Sequence, residues 1–302
     1  MALKPNKTFL LILKFSISSA LLYIVLSRTG PERVFSILKN MSPLAFIFVI
    51  AIYIFAQFIS SIRWKLFLPQ GPRIRKLFSL YMIGSFFNTF LPGILGGDAI
   101  KAFYLYQATG KGSLTLASVF MDRYLGFVTL MIIGIAAFPF GYKYLQSSPV
   151  EWLLPIIVLS FIIISLLIFG LRLGKRIKIL SEFYDYFHAY RNQKEVVVRA
   201  ILISAAVQLI SFIMVYILAL GIGQHIPFLA CLIFLPLIIV FTTLPISISG
   251  LGVREGAFVL LFGFIGIKPE VATAISLSWF LSIATGSLLG LIEYIRHKKE
   301  AL

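Results

Sequence analysis

Three short charged clusters interrupt long apolar stretches of this chain. They are Asp98 with Lys101 in "LPGILGGDAIK", Asp122 with Arg123 in "MDRYLG", and Arg254 with Glu255 in "SGLGVREGA". Each cluster holds an acidic and a basic residue within three positions of each other. Charges are expensive in hydrocarbon, so such residues either form internal ion pairs or line a polar cavity. We favour a cavity, because all three clusters lie in, or next to, interrupted apolar regions.

The first interrupted region carries the residues that end one helix and begin another. Pro92 would end the first helix, and Gly96 and Gly97 would permit a tight turn before a new helix capped by Asp98. The first amides of a helix are free and lie at the positive end of its dipole. Together with Lys101 and Arg123, these amides predict a site for an anion.

The second interrupted region, "LPISISGLGVRE", has a similar composition. Ser247 and Ser249 would line its turn, and Gly250 and Gly252 would precede the next helix, with Arg254 as the cation. For any single glycine the alternative interpretation is close helix packing. Two similar breaks in corresponding places favour a site.

The composition predicts the elements that hold these residues. Of the 302 residues 60% are hydrophobic, and the mean hydropathy is +0.99, which predicts a polytopic all-α integral membrane protein. Unbroken apolar runs exclude the alternating pattern of a membrane β-barrel. The net charge of +16 is typical of basic cytoplasmic loops, and we expect no nucleic acid as a partner.

Apolar stretches predict six full spans, and loop charges predict their orientation. The spans lie at about 9–27, 44–62, 114–138, 152–171, 197–220 and 271–293. Segment 63–76 carries five basic residues and no acidic one, and 172–199 carries seven basic and three acidic residues. The positive-inside rule then places both segments and both termini in the cytoplasm of a cell-membrane protein.

This orientation requires regions 77–108 and 228–266 to enter and leave the membrane from one side. Each region is either a re-entrant hairpin, which we expect, or a pair of complete short spans. Limb 228–244 is longer than the limbs of the first region and is the one that could cross completely. We expect the tips near Gly96 and Ser249 to meet. The order span, span, hairpin, span in residues 1–140 then recurs inverted in 141–302. The match between "FNTFLPGILGGDAIKAF" and "FTTLPISISGLGVREGAF" adds weak support. Between the halves, aromatic residues at helical spacing predict an interfacial helix at about 180–194.

No motif predicts an enzyme or a cofactor. The single Cys231 cannot form a disulfide within the chain, and three scattered histidines form no metal-ligand spacing. Hydrolase triad, zinc-protease and nucleotide-binding motifs do not occur. Acid–base chemistry by Asp98 or Glu255 stays open, although no nucleophile accompanies either residue.

The motifs "NTFLPGILGGDAIKAF", "ASVFMDRYLG" and "LPISISGLGVREGA", in this order, resemble the lysylphosphatidylglycerol synthase transmembrane-domain family. That family includes the flippase domain of the multiple peptide resistance factor. The resemblance covers essentially the whole chain and implies a lipid-translocating domain with the motif residues around a central cavity. The residues of this chain at the positions of the family's motif residues are Asn88, Pro92, Gly96, Gly97, Asp98, Asp122, Arg123, Gly252, Arg254 and Glu255.

Two positions depart from the family pattern, which commonly has Gly at Ile94 and Arg at Lys101. Lysine keeps the charge but cannot bind phosphate in the bidentate way that arginine does. The identity of the family's lipid substrate is therefore not transferred to this chain. The resemblance implies a flippase for a lipid with an anionic headgroup, such as a polyprenyl-phosphate, aminoacylated or glycosylated lipid. The alternatives are a membrane-embedded transferase for lipid-linked substrates and a scaffold with purely structural charges. The synthases' soluble aminoacyltransferase domain is absent from these 302 residues, so we expect no lysyl transfer by them alone.

Overall fold

The computed structural model describes residues 7–68, 71–90, 96–170, 193–244 and 246–300. Regular structure in these ranges is helical throughout, without strands. Pro92 and the predicted interfacial helix at 180–194, except for its last two residues, lie outside the described residues.

Five long apolar helices form the frame of the molecule. They are α1 (Lys7–Thr29), α3 (Pro43–Leu66), α6 (Gly112–Gly141), α8 (Lys194–Gly221) and α11 (Pro269–Glu300). Each is long and apolar enough to cross a bilayer. The remaining predicted span, at about 152–171, corresponds to α7 (Leu153–Gly170), which has 18 residues. The chain is therefore an all-α, multi-pass membrane protein, as the composition predicted.

Each interrupted region folds as two short helices. The first contains α4 (Ile74–Phe90) and α5 (Gly96–Thr109), and the second contains α9 (Phe228–Thr243) and α10 (Val253–Gly263). Helix α4 has 17 residues and α9 has 16, so the expectation of a longer first limb in the second region is wrong. At 1.5 Å per residue, both are about 25 Å long, shorter than a hydrocarbon core of roughly 30 Å.

Sequence patterns missed one helix between the first two spans. Helix α2 (Pro31–Lys39) occupies a segment that we had treated as a loop. It begins after Gly30, which has a φ of 78°, and Val34 is buried within it. Nine residues are too few for a span, and α2 instead packs against α1 and α11.

The short helices pack across the two halves of the chain. Helix α4 lies against α11, and α9 lies against α6, while α3 packs on α8. The approach of α4 to α11 depends on Gly290, where a Cβ atom would lie 2.0 Å from the carbonyl oxygen of Met82. This crosswise packing is the arrangement that an inverted repeat requires, and the repeat itself stays a prediction.

Candidate functional site

A cavity of about 420 Å³ lies where the short helices meet α3, α6, α8 and α11. Both halves of the chain line it. Seven of the predicted site residues contribute to its wall: Asn88, Asp98, Lys101, Asp122, Arg123, Ser249 and Arg254. The other described ones lie outside the wall: Gly96, Gly97, Ser247, Gly250, Gly252 and Glu255. Each of the three charged clusters therefore contributes at least one residue to the wall of the same cavity.

Asp122 is the centre of a buried network that joins five helices. Its Oδ1 atom accepts a hydrogen bond from Arg63 Nε at 2.8 Å, and its Oδ2 atom accepts one from the Tyr81 hydroxyl at 2.8 Å. Lys101 Nζ lies 3.5 Å from the same Oδ2 atom. Arg63 also donates to Ser204 Oγ at 2.8 Å. Two cations thus share one carboxylate, which is fully buried.

Arg63 is the principal residue that the sequence analysis misplaced. We had counted it among the charges of a cytoplasmic loop, but α3 continues to Leu66 and carries Arg63 into the protein interior. The available signal was Asp122, which needs a partner on another element because Arg123 projects about 100° away around the helix. Lys101 is the partner that the interrupted region supplies, and Arg63 is a second one.

Arg123 occupies a different environment from the other cations. Its Nε atom lies 2.6 Å from Asp98 Oδ2, in an ion pair that is poorly aligned for a hydrogen bond. The Arg123 side chain is 39% exposed, whereas those of Arg63, Lys101 and Arg254 are at most 7% exposed. Arg123 is therefore the cation of the cavity wall that a ligand can reach most easily.

The predicted cap of α5 is wrong. Helix α5 begins at Gly96, which makes Asp98 its third residue, and the Asn88 side chain accepts the hydrogen bond of the Gly97 amide at 2.9 Å. Asp98 instead contacts Arg123, and its Oδ1 atom lies 3.8 Å from Lys101 Nζ. The Gly97 amide is thus engaged within the protein and does not face an anion as a free donor.

Glu255 has a local role at the start of α10. Its Oε2 atom accepts a hydrogen bond from the Gly252 amide at 2.6 Å, and its Oε1 atom accepts from Arg254 Nη2 at 2.7 Å and from Ser276 Oγ at 3.0 Å. Arg254 also stacks over Phe280, 4.7 Å from the ring centre. Glu255 therefore caps the helix behind Arg254, and the Gly252 amide, like that of Gly97, is not free for an anion.

The second chain break contacts the end of α4, and the meeting of the tips near Gly96 and Ser249 stays a prediction. Ser249 Oγ donates a hydrogen bond to the carbonyl oxygen of Thr89 at 2.8 Å and lies 3.3 Å from that of Asn88. Carbonyl groups in the last turn of a helix have no partner within the helix. Ser249 thus ties the second break to the end of α4.

The glycines of both breaks shape the cavity without lining it. A Cβ atom at Gly97 would lie 1.8 Å from the carbonyl oxygen of Gly84, because α4 and α5 touch there. Gly252 has a φ of 81°, and a Cβ atom would lie 2.4 Å from that of Leu21. Helix packing, which we had named as the alternative for these residues, describes both positions.

The cavity wall carries more positive than negative charge. Four of its side chains are cationic (Arg63, Lys101, Arg123 and Arg254) and two are anionic (Asp98 and Asp122). Counting Glu255 behind Arg254, four cations face three carboxylates, so one positive charge is in excess. All three carboxylates contact a cation. The arrangement favours binding of an anion, and each of these three described carboxylates is paired with a cation.

Comparisons with known proteins agree with this architecture. The model of the lysylphosphatidylglycerol synthase TM region matches residues 11–290. A UPF0104 membrane protein of Pyrococcus horikoshii is 24% identical, with 97% of this chain and 98% of the relative covered. Another, from Methanothermobacter thermautotrophicus, is 23% identical over 96% of this chain and 94% of the relative.

No solved structure matches the chain. The family assignment therefore depends on the sequence match, which includes most of each of the five long helices and all the residues that line the cavity. The chain belongs to the lysylphosphatidylglycerol synthase transmembrane-region family.

Proposed function

We propose that this protein moves a membrane lipid with an anionic, phosphate-bearing headgroup between the two leaflets, with the headgroup passing through the central cavity. The observation that carries the proposal is Arg123, a partly exposed cation in a cavity with excess positive charge. A cavity walled by both halves of the chain suits a substrate that must be released on either side. Membership of a family named after the membrane region of a lipid synthase supports a lipid as the substrate.

Arg123 would bind the phosphate, and Asp98 would hold Arg123 in position while the cavity is empty. Phosphate forms strong, charge-assisted hydrogen bonds with a guanidinium group. Exchange of the Asp98 contact for a phosphate contact would keep the guanidinium group of Arg123 paired with an anion. Arg63, Lys101 and Asp122 would fix the neighbouring helices and supply the positive field.

The proposed topology gives this cavity a route to each leaflet. We retain the inverted repeat of residues 1–140 and 141–302, with both termini in the cytoplasm of a cell-membrane protein. Short helices whose tips touch can move as units against the long helices, which is how broken-helix transporters alternate access. Ser249, which links the second break to α4, would couple the two movements.

A membrane-embedded transferase for lipid-linked substrates is the less supported alternative. Such an enzyme needs a base to activate a nucleophile, and each carboxylate of the cavity region is already engaged by a cation. Purified protein separates the two functions: a transferase changes the mass of the lipid, whereas a flippase changes only its leaflet.

The decisive variant is Arg123→Gln in proteoliposomes that contain tail-labelled phosphatidylglycerol. Loss of a charged contact with phosphate corresponds to about 1.5–3 kcal/mol, so we expect transport at subsaturating lipid to fall ten- to a hundredfold. Arg123→Lys should retain part of the activity, and Arg199→Gln, which removes a cation 64% exposed on α8, should retain all of it.

A double variant separates binding from charge neutralisation. If Arg123 only neutralises Asp98, then Asp98→Asn with Arg123→Gln should transport lipid at the rate of the unmodified protein. That outcome would contradict the proposal. We expect the double variant to stay folded in a thermal melt and to remain inactive.

A further inference from the structure

We propose that a second cavity, at the cytoplasmic end of α5 and α6 in the proposed topology, is a loading site that receives the phosphate headgroup before it reaches Arg123. The inference rests on the proposed function, to which it adds a second phosphate-binding site and a route between the two sites. This loading cavity has a volume of about 600 Å³, and none of its lining residues lines the central cavity.

The walls of the loading cavity come from neighbouring parts of the chain. Gly71 and Pro72 belong to the segment between α3 and α4, Lys76 is the third residue of α4, and Lys111 is the N-cap residue of α6. Lys65 Nζ donates hydrogen bonds to the carbonyl oxygens of Gly71 at 2.8 Å and Pro72 at 3.1 Å. These two carbonyl groups are therefore engaged by a cation, which holds this part of the wall in place.

The charged side chains that line the loading cavity are both cationic. Lys76 and Lys111 line it, and the described lining residues include no acidic side chain. Among the described residues neither lysine pairs with a carboxylate, whereas each cation of the central cavity does. An anion can therefore bind here without displacing an acidic residue of the protein, as it must at Arg123.

Two helix N-termini add positive potential to this cavity. Helices α4 and α6 both begin beside it, and neither has an acidic residue in its first turn. The side chain of Lys111 makes no capping hydrogen bond to the first amides of α6. The positive ends of helix dipoles and unpaired first-turn amides favour phosphate. The two lysines, supported by the two helix ends, thus define a site for a phosphate-bearing ligand.

An exposed apolar stripe extends from the loading cavity to Arg123. On α6, Leu116 and Phe120 are exposed, and together with Arg123 they follow the spacing i, i+4, i+7 of one helix face. On the neighbouring α5, Phe103 and Tyr106 are exposed as well. A ligand with acyl chains matches this surface, because the chains can contact the stripe while the headgroup occupies either site.

The two sites are close to each other along the same two helices. On α6, Leu114 of the loading cavity precedes Arg123 by nine residues, and on α5, Lys101 of the central cavity precedes Thr109 by eight. At 1.5 Å per residue, these separations are about 14 and 12 Å. A lipid from the cytoplasmic leaflet can thus move its headgroup from one site to the other while its acyl chains stay in the hydrocarbon.

Protection from alkylation measures occupancy of the loading cavity. Ala108→Cys in a Cys231→Ala background places a single thiol in the cavity wall. In detergent, we expect dihexanoyl phosphatidylglycerol to slow maleimide labelling of this thiol in a saturable way. Glu195→Cys in the same background, at an exposed position on α8, should label at an unchanged rate. Absence of protection at position 108, or equal protection at both positions, would overturn the inference.

A double variant tests the two lysines. Lys76→Gln with Lys111→Gln should raise the lipid concentration that gives half-protection about tenfold, because two exposed cations are lost. The matched control is Lys194→Gln with Arg199→Gln, which removes two exposed cations from α8 and should leave that concentration unchanged. Equal effects of the two double variants would show that the lysines supply only general surface charge, and would refute the site.

A tail-free compound separates a lipid site from a site for soluble phosphate compounds. Glycerophosphoglycerol is the deacylated form of phosphatidylglycerol and carries the same phosphodiester. We expect the lipid to give half-protection at a concentration at least about tenfold lower, because its acyl chains bury apolar surface on the stripe. Equal protection by the two compounds would identify a soluble phosphate compound as the occupant and would overturn the loading role.

Transport distinguishes failure of the loading site from failure of the proposed function. In proteoliposomes with a low fraction of labelled phosphatidylglycerol, Lys76→Gln with Lys111→Gln should slow transport about fivefold relative to the α8 control. If the protein moves no lipid while charge-dependent protection persists, the proposed function fails and only the second phosphate site stands. If lipid moves and both double variants transport it equally fast, translocation stands and the loading site is refuted.

Discussion

The two halves of the chain hold their buried charges in different ways. In the first half, Asp122 is linked to Arg63 of α3, Tyr81 of α4 and Lys101 of α5, so a single carboxylate joins four helices. In the second half, Arg254 and Glu255 are neighbours on α10, and their additional partner is Ser276 of α11.

This difference separates tertiary cross-linking from local capping. The first cluster fixes the relative positions of distant segments, and it leaves Arg123 partly exposed at its edge. The second cluster secures the first turn of one short helix, with the carboxylate hidden behind the arginine. The first half thus supplies three of the four cations of the cavity wall (Arg63, Lys101 and Arg123), and the second half supplies Arg254.

Asp122→Asn should give the largest effect and tests the cross-linking role directly. The substitution preserves shape but leaves Arg63 and Lys101 without their shared carboxylate. Breaking a buried ion pair from one side costs about 3–5 kcal/mol, and we expect a loss of this size in the free energy of unfolding. A thermal or denaturant melt measures it.

The matched control is Glu195→Gln, which breaks an exposed pair with Arg199 on α8. Exposed pairs contribute about 0–1 kcal/mol, so this variant should melt near the unmodified protein. If Asp122→Asn also melts near the temperature of the unmodified protein, the network does not cross-link the first half, and the contrast between the two halves is refuted.

Gly97→Ala tests whether helix contact at the first break depends on glycine. The added methyl group would meet the carbonyl oxygen of Gly84 at 1.8 Å and force α4 and α5 apart. Overpacking of this kind typically costs about 1–3 kcal/mol, which a melt should detect. Gly263→Ala on α10, where nothing lies within 4 Å of the new methyl group, should cause no loss.

The double variant Arg254→Gln with Glu255→Gln should have the smallest effect. Both charges disappear together, and glutamine can still accept the hydrogen bond of the Gly252 amide. We expect stability within about 1 kcal/mol of the unmodified protein, and better than that of Glu255→Gln alone.

The corresponding double variant of the first half sharpens the comparison. Arg63→Gln with Asp122→Asn leaves Lys101 with Asp98, at 3.8 Å, as its remaining carboxylate contact among the described residues, so this double variant should remain clearly destabilised. Equal recovery by the two double variants would show that both clusters are simple pairs.

Local sequence signals predicted much of the architecture. Apolar runs located the long helices, and proline and glycine residues located the breaks between α4 and α5 and between α9 and α10. These features depend on neighbouring residues along the chain. The positions of the three charged clusters, in or next to the interrupted apolar regions, also predicted a polar cavity.

Helix ends and short helices were harder to predict. Arg63 looked like a loop residue because a basic side chain after an apolar run usually marks the end of a span. Helix α2 was missed since nine mixed residues show no spanning pattern. In both cases the deciding contacts, with Asp122 and with α11, come from residues far away in the sequence.

The sequence by itself determined that the protein is helical and membrane-embedded, which residues are charged, and where the backbone must break. Only the tertiary structure decided that Asp122 pairs with Arg63, that Glu255 caps its own helix and that Arg123 stays partly exposed. The reason is physical: apolarity and backbone breaks act within one segment, whereas the partner of a buried charge depends on which helices lie within a few ångströms of it.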